Sequence, residues 1–157
     1  MFGQEDRAVT ERDQEILAEV RDRLYDWSPL RESGAPIGIE VDNGVVTLRG
    51  WVMSRSQKRA AERLASEVPG MTEVRNELFS DDELVLAVAA ALAADERTAH
   101  DFPGVHIGAY MGRITLTGHV ASQEESEIAE DVAARVPGVR SVDNRLVVQA
   151  VAMAAAA

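Results

Sequence analysis

The amino-acid sequence repeats itself at an offset of 68 residues, and no gap is needed to align the two copies. The matched positions include turn glycines, strand residues and a helix-ending motif: Gly44, Leu48, Gly50, Val68-Pro69-Gly70 and Asn76 recur as Gly112, Leu116, Gly118, Val136-Pro137-Gly138 and Asn144. A repeat of this length indicates one supersecondary unit present twice. We therefore expect two domains of one fold (13–80 and 81–148), an N-terminal extension (1–12) and a flexible Ala-rich tail (149–157).

Each copy opens with a helical pattern followed by a hairpin pattern. Apolar residues at i, i+4 and i+8 predict the opening helices through Ile16, Val20 and Leu24, and through Leu84, Val88 and Leu92. Thr10-x-x-Asp13 and Ser80-x-x-Glu83 have the form of capping boxes in front of these helices, and a loop with Pro29 and Pro36, or with Pro103 and Gly104, is expected to end them. Alternating apolar residues around Asn43-Gly44 and Met111-Gly112 then predict tight hairpins.

A second helix and a last strand complete each copy. Ser54-x-x-Gln57 and Ser122-x-x-Glu125 predict the start of the second helix, and the following Pro-Gly ends it. The last strands are expected over Thr72–Phe79 and Arg140–Val148. The order α-β-β-α-β, twice, predicts an α+β protein whose modules each have a three-stranded sheet with two helices on one face, leaving the other face open.

Composition excludes several classes of function. With 27 acidic against 16 basic residues the net charge is −11, which speaks against nucleic acid and, as a whole-molecule property, against anionic lipid. The chain has no cysteine, and its three histidines lack metal-binding spacing, so we expect no disulfide, no metal site and no thiol catalysis. No phosphate-binding glycine loop or nucleophile elbow occurs, so no enzymatic activity and no cofactor are expected.

The chain ends carry little targeting information. Residues 1–7 do not have the basic start and apolar core of a signal peptide, so we expect a cytoplasmic protein. The longest apolar run, Leu84–Ala94, is too short to span a membrane.

Two extended segments resemble the BON domain family. In the first copy the resemblance lies in Asn43-Gly44-Val45-Val46-Thr47-Leu48-Arg49-Gly50-Trp51-Val52, then Lys58, Ala60-Ala61, Val68-Pro69-Gly70, Val74, Asn76 and Leu78. In the second copy it lies in Gly112–Val120, Val136-Pro137-Gly138-Val139 and Val142–Leu146. The resemblance implies a non-enzymatic bacterial module linked to phospholipid surfaces, envelope integrity and osmotic stress, often in periplasmic proteins. A cytoplasmic relative that combines such a module with a LysM module implies a further property, potassium binding.

The residues shared by the two copies are expected to serve the fold. Gly44 and Gly112 occupy hairpin turns that favour positive φ, and Gly50 and Gly118 interrupt a strand, as at a bulge or a close backbone approach. Gly70 and Gly138 follow the helix-ending prolines. Asn76 and Asn144 fall on the core side of the last strand, so each is expected to bond the neighbouring backbone.

The divergent residues are the candidate functional surface. Alternation places Val45, Thr47, Arg49 and Trp51 on the open face of the first sheet, and Arg113, Thr115, Thr117 and His119 on that of the second. The first copy also has a basic cluster on its second helix, Arg55, Lys58, Arg59 and Arg63, replaced in the second copy by Gln123, Ser126, Glu127 and Asp131. We interpret Arg49, Trp51 and this cluster as a ligand or partner surface; a solvated helix face and a contact with the sister domain are the alternatives.

The opening helix of the second copy is apolar on all sides. We interpret Leu84, Val85, Leu86, Val88, Ala90 and Leu92 as an interface helix for the sister domain or for a second chain, with a membrane-surface helix as the alternative.

Three interpretations of function follow. The first is a non-enzymatic binding or scaffold protein with a protein partner or self-association and a phospholipid- or envelope-stress role. The second is a cytoplasmic potassium sensor that binds K⁺ weakly, and the third is a structural, oligomer-forming protein. A carbonyl-lined potassium site would leave no side-chain pattern, so the sequence does not decide between them.

Overall fold

The computed structural model describes residues 2–100 and 104–149, with side chains from residue 9 onward. The chain divides into two compact units, Met1–Ser80 (unit 1) and Asp81–Ala157 (unit 2). Most of the Ala-rich tail, from residue 150, and the predicted loop residue Pro103 lie outside the described residues.

Unit 1 is built around a three-stranded sheet. Its elements are α1 (Phe2–Asp26), α2 (Ser28–Ser33), β1 (Ile37–Asp42), β2 (Val45–Val52), α3 (Arg55–Ser66) and β3 (Glu73–Ser80). The central strand β2 pairs antiparallel with β1 and parallel with β3. The parallel pair requires a crossover connection, which α3 supplies.

Unit 2 repeats this arrangement, with turns over the described residues 96–100 where unit 1 has α2. Its elements are α4 (Asp81–Ala94), β4 (Val105–Tyr110), β5 (Arg113–Val120), α5 (Gln123–Ala134) and β6 (Ser141–Val148). Strand β5 is central, antiparallel to β4 and parallel to β6. The predicted α+β fold with two tandem three-stranded modules is therefore confirmed.

The core of each unit comes from the predicted apolar stripes. In unit 1, Ile16, Val20 and Leu24 of α1 are at most 2% exposed and pack with the equally buried Val46 and Leu48 of β2. In unit 2, the stripe of Leu84, Val88 and Leu92 is likewise buried with Ile114 and Leu116. Helices cover this side of each sheet, and the alternate side chains of the central strands are more exposed.

Three predictions about helix ends are wrong. Thr10 and Asp13 do not cap α1, because the helix already begins at Phe2 and runs through them. Pro29 does not end a helix; it lies in the first turn of α2, where a missing N–H costs nothing. Ser80 is the last residue of β3, and its buried Oγ has no hydrogen-bond partner, so it does not cap α4.

Asp13 and Asp81 bind hairpins instead of capping helices. The Asp13 carboxylate accepts hydrogen bonds from the backbone N–H groups of Asn43 (2.8 Å) and Gly44 (2.9 Å). These turn residues have φ of 50° and 81°, as in the mirror-image turn that a two-residue hairpin prefers. Asp81 makes the same pair of bonds at 2.7 and 2.9 Å to the equivalent turn of unit 2. Each first helix is thereby fixed to its hairpin.

The close backbone approach expected at Gly50 is present. Gly50 has φ of 126°, and a Cβ added there would collide with the carbonyl oxygen of Pro36. Gly118 repeats this geometry against Gly104. Both positions are therefore restricted to glycine by the fold itself.

The predicted caps of the second helices are confirmed. Ser54 Oγ accepts from Gln57 N–H at 3.2 Å, and Gln57 Oε1 accepts from Met53 N–H at 2.9 Å. The caps hold the start of α3, and in unit 2 the start of α5, directly after the central strand. None of the helices in the described part of the chain has the length and apolar character needed to cross a membrane.

Candidate functional site

The open face of the unit 1 sheet is the side that α1 and α3 do not cover. On β2 it carries Thr47, Arg49 and Trp51, which alternate with the buried Leu48 and Val52 as predicted from the sequence. The neighbouring strands add the residues in register with these three: Glu40 and Gly38 from β1, and Arg75, Glu77 and Phe79 from β3.

Two aromatic rings form the apolar end of this face. Trp51 and Phe79 are cross-strand neighbours in the parallel pair, and their rings stack with centroids 6.2 Å apart and planes inclined by 25°. Phe79 is 36% exposed, so this ring pair lies at the surface and outside the core. These rings are not part of the core, and burying a stacked pair of large rings against another molecule would contribute binding energy.

A cleft of about 650 Å³ opens beside the rings. It is lined by Pro36, Gly38, Arg49, Gly50, Trp51, Glu77 and Phe79. Gly38 carries no side chain to fill it, and a Cβ at that position would meet only the carbonyl oxygen of Arg49, at 3.8 Å. We refer to it as the aromatic cleft.

Arg49 closes one side of the aromatic cleft and is held by two carboxylates. Its Nε donates to Glu77 Oε2 at 2.8 Å, and its Nη1 lies 3.4 Å from Glu40 Oε1. The hydrogen bond to Glu77 and the negative charge of Glu40 raise the pKa of Arg49. The guanidinium therefore stays charged and oriented across the sheet, and the three groups together carry a net charge of −1.

A second, more polar concavity adjoins the aromatic cleft along β2. It has a volume of about 420 Å³ and is lined by Glu40, Asp42, Asn43, Val45, Thr47, Arg49 and Arg75. Because Arg49 borders both, the open face is one continuous surface with an aromatic end and a mixed-charge end.

The open face of unit 2 has the same backbone register but different chemistry. His119 and Val147 stand where unit 1 has Trp51 and Phe79, and the pair is again in register. Thr117 replaces Arg49, and Arg145 replaces Glu77. Unit 2 therefore has neither the ring pair nor the Arg49 ion-pair ladder.

The predicted basic cluster lies on another face of unit 1. Helix α3, which carries Arg55, Lys58, Arg59 and Arg63, packs on the core side of the sheet through Ala60, Ala61 and Ala65. Arg49 and Trp51 lie on the opposite, open side. The six residues grouped from the sequence therefore belong to two surfaces, because α3 lies on the face of the sheet opposite to Arg49 and Trp51.

The predicted interface helix, α4, is divided between core and surface. Leu84, Val88 and Leu92 are buried in unit 2 itself, whereas Leu86 is 60% exposed and Ala90 is exposed. Val85 is half-buried. Only Leu86 and Ala90, among the predicted interface residues, are exposed enough to contact another surface, and the interface stays a prediction.

The shared asparagines connect helix to strand. Asn76 Nδ2 donates to the carbonyl oxygen of Lys58 at 2.9 Å, and its Oδ1 accepts from Leu78 N–H at 3.3 Å. Asn144 does the same with Ser126 and Leu146 at 3.2 and 3.1 Å. Both side chains have the backbone-bonding role expected from the sequence.

Three strand residues that line the aromatic cleft, Gly38, Glu77 and Phe79, are among those absent from the sequence-based surface. They belong to outer strands, and their proximity to Trp51 depends on the pairing register of β1 and β3 with β2. Alternation of β3 around the inward-facing Asn76 predicts that Glu77 and Phe79 lie on the open face. Only the pairing register of β3 with β2 shows that they lie beside Arg49 and Trp51.

Comparison with known proteins agrees with this architecture. The BON domain family profile matches twice, at residues 12–78 and 80–150. Osmotically-inducible protein Y of Escherichia coli (strain K12) is 32% identical over 149 residues, covering 85% of this chain and 71% of that protein.

A solved structure shows the same fold at low sequence identity. The C-terminal domain of CdsD, the structural protein of the type III secretion system of Chlamydia trachomatis, superposes with a TM-score of 0.63 at 13% identity, covering 84% of this chain. This chain spans 63% of that structure. A second CdsD structure has a TM-score of 0.39 at 11% identity. With two family matches that together cover nearly the whole chain, the protein belongs to the BON domain family as a tandem of two BON domains.

Proposed function

We propose that this protein is a non-enzymatic binding protein of the osmotic stress response, and that the open face of unit 1 is its binding surface. The setting is supported by the similarity to a protein named for osmotic induction in Escherichia coli. The surface is supported by the cleft, because ligand sites are concave and mostly apolar with a few oriented polar groups.

The asymmetry between the two units carries the proposal. Both units keep the residues that the fold needs, such as Gly50 and Gly118, but only unit 1 has two stacked rings on its open face. At the same positions unit 2 folds with His119 and Val147, so the fold does not require the rings. A half-buried Trp51 and an exposed Phe79 that the fold does not require favour an intermolecular role.

The test replaces the rings with the residues of unit 2. The double variant Trp51→His, Phe79→Val should leave the fold intact. In a strain that lacks its own copy of the gene, this variant should fail to restore growth at high osmolarity. The matched control, His119→Ala with Val147→Ala, changes the same register positions of unit 2 and should complement fully. Full complementation by the first variant would contradict the proposal.

A second proposal concerns phospholipid and the basic cluster of α3. Arg55, Arg59 and Arg63 are exposed on one helix of a protein with a net charge of −11, and each basic residue near an anionic membrane contributes about 1 kcal/mol. Flotation with phosphatidylglycerol vesicles at low salt tests this role. The control carries the unit 2 residues, Arg55→Gln, Lys58→Ser, Arg59→Glu and Arg63→Asp, and should not float. If the native protein does not float, this proposal fails.

A further inference from the structure

Building on the proposed function, we propose that the aromatic cleft binds a small, weakly hydrated organic cation of the quaternary ammonium type. The proposal names the ligand chemistry of the open face. It rests on the charge of that face, the rings that line the cleft and the size of the cleft.

The open face of unit 1 attracts cations. Its strands place four carboxylates there, from Glu40, Asp42, Glu73 and Glu77, against the two guanidinium groups of Arg49 and Arg75, a difference of −2. Arg49 and Arg75 are each ion-paired to a carboxylate of the same face. The net charge of −11 adds a field of the same sign. An anion is therefore disfavoured at every distance of approach.

The lining of the cleft selects among cations. A metal ion or a primary ammonium would have to exchange strong hydration for an apolar wall, which is costly. A quaternary ammonium has methyl groups outside and a diffuse charge, so it loses little hydration. The faces of Trp51 and Phe79 attract such a charge through their quadrupoles, and Trp is the best ring for this interaction.

The carboxylate of Glu77 supplies the negative charge nearest to the rings. Glu77 lines the cleft, pairs with Arg49 at 2.8 Å and precedes Phe79 by two residues on the same face of β3. The guanidinium of Arg49 pairs with both Glu77 and Glu40, so the three groups together leave a net charge of −1 beside the cleft. At about 650 Å³ the cleft lies within the range of small-molecule sites.

Unit 2 provides an internal comparison for each feature. His106 stands at the position of Gly38, Arg145 replaces Glu77, and neither ring is present. An imidazole side chain would occupy the space that Gly38 leaves open, and Arg145, which pairs with Asp143, puts a cation where unit 1 has the carboxylate of Glu77. We therefore expect one binding site per chain, in unit 1.

The binding experiment uses Trp51 as its own reporter. The chain has two tryptophans, so Trp27→Phe leaves Trp51 alone, and its fluorescence is followed during titration with choline chloride. The neutral isostere 3,3-dimethylbutan-1-ol controls for shape and apolarity, and KCl controls for ionic strength. We expect a saturable change with choline and affinity for the isostere lower by roughly ten-fold, since only the cation gains the ring and carboxylate attraction.

Two variants in the same background separate the contributions. Phe79→Val, the unit 2 residue, should weaken choline binding by roughly five-fold, and Glu77→Gln, which keeps the shape of the side chain, by a similar factor. His119→Ala should have no effect. Equal affinity for choline and the isostere, or no saturable change with choline, overturns the proposal. An unchanged affinity in Glu77→Gln overturns the role of that carboxylate and assigns the cation preference to the rings alone.

Choline chemistry also occurs in lipid headgroups, and a second arm distinguishes the two sources. If the native protein floats with phosphatidylcholine vesicles and excess choline releases it, the cation is a headgroup; if choline binds and the vesicles do not, the cation is a free solute. If choline does not bind but the Trp51→His, Phe79→Val variant still fails to complement, the cation proposal falls and the binding surface stands. If that variant also complements, both proposals fall.

Discussion

The two units have the same sheet topology but different side chains on their open faces. In unit 1 the register positions 51 and 79 hold a stacked Trp and Phe, whereas the same positions in unit 2 hold His119 and Val147. The turn glycines, the strand-interrupting glycines and the helix-to-strand asparagines have the same geometry in both. Residues that recur in both units thus maintain the fold, and residues that differ are available for a specialised role.

The first helices show the same division. Both contribute one buried stripe and one aspartate that binds the hairpin turn. Outside the stripe, α1 carries Glu19 and Arg23, which pair with each other, while α4 carries exposed alanines and Leu86. The inward-facing residues of the two first helices therefore make the same contacts, whereas their outward-facing residues differ.

The largest effect should come from a shared position, the strand glycine. Gly50→Ala and Gly118→Ala each force a Cβ onto a backbone carbonyl at a positive φ, so each should lower the free energy of unfolding of its own unit by at least about 3 kcal/mol. Both tryptophans belong to unit 1, so their fluorescence follows urea unfolding of that unit, whereas far-UV circular dichroism follows both.

The two readouts assign each loss of stability to one unit. Gly50→Ala should move the fluorescence transition to lower urea, and Gly118→Ala should move part of the dichroism transition while the fluorescence midpoint stays in place. A fluorescence shift of equal size in both variants would show that the units unfold as one, and a shift below about 1 kcal/mol in Gly50→Ala would contradict the steric argument.

The helix-to-hairpin aspartates come next and should differ between units. Asp81→Ala leaves two buried N–H groups, those of Met111 and Gly112, without a partner, at a cost of about 2–3 kcal/mol for unit 2. In unit 1 the bond from Asn43 is exposed and the bond from the buried Gly44 is part-buried, so after Asp13→Ala water can replace the carboxylate at Asn43, and a smaller loss of about 1 kcal/mol is expected. Thermal unfolding followed by the two signals measures both. Equal losses would show that burial does not set the strength of this contact.

Local sequence patterns were sufficient for most of the fold. The hairpins, the caps at Ser54 and Ser122 and the apolar stripes depend on residues within a few positions of one another, and the structure has each of them. The close approach at Gly50 was also predictable, since a glycine inside a strand usually marks a bulge or a backbone that approaches closely. The error at Thr10 arose because a capping-box pattern is short and also occurs inside a helix. At Ser80 a helix does begin at the next residue, but the Ser80 hydroxyl is buried at the end of β3 and makes no hydrogen bond to it.

The site was less accessible because its contacts are long-range. Trp51 and Arg49 were identifiable by alternation on one strand, but Phe79 and Glu77 are 28 residues further along and meet them only through the register set by the α3 crossover. The basic residues of α3 follow Trp51 closely in sequence, yet their helix packs on the other side of the sheet. Proximity in sequence was misleading there, and register was the missing information.

Transferring the aromatic cleft to unit 2 tests whether the residues that differ between the open faces account for choline binding. On the Trp51→His, Phe79→Val background, four changes give unit 2 the features of the aromatic cleft: His106→Gly, His119→Trp, Arg145→Glu and Val147→Phe. Choline affinity, measured by calorimetry, should rise at least roughly five-fold over that background, because the register already aligns these positions. The control adds only His119→Trp and Val147→Phe to that background, so Arg145 and His106 remain. It should show no increase in choline affinity. A gain from the rings alone would mean that neither charge nor open space limits binding.

The smallest effect concerns an ion pair beyond the end of α4 that has no counterpart in unit 1, where Trp27 and Pro29 stand at the equivalent positions. Arg97 donates from Nη2 to Asp95 Oδ2 at 2.7 Å, and its side-chain and backbone hydrogen bonds lower the pKa of Asp95 to about 2. Because the folded pKa lies below the ordinary value of 3.8, the pair stabilises unit 2 fully above that value and loses its contribution as pH falls toward 2. Arg97→Gln should return the pKa of Asp95 most of the way to 3.8 in a carboxyl-carbon NMR titration, with little change in melting temperature at neutral pH, since the pair is exposed and exposed pairs contribute little. An Asp95 pKa still near 2 in Arg97→Gln would mean that the backbone N–H of residue 97, and not the Arg97 side chain, holds the carboxylate charged.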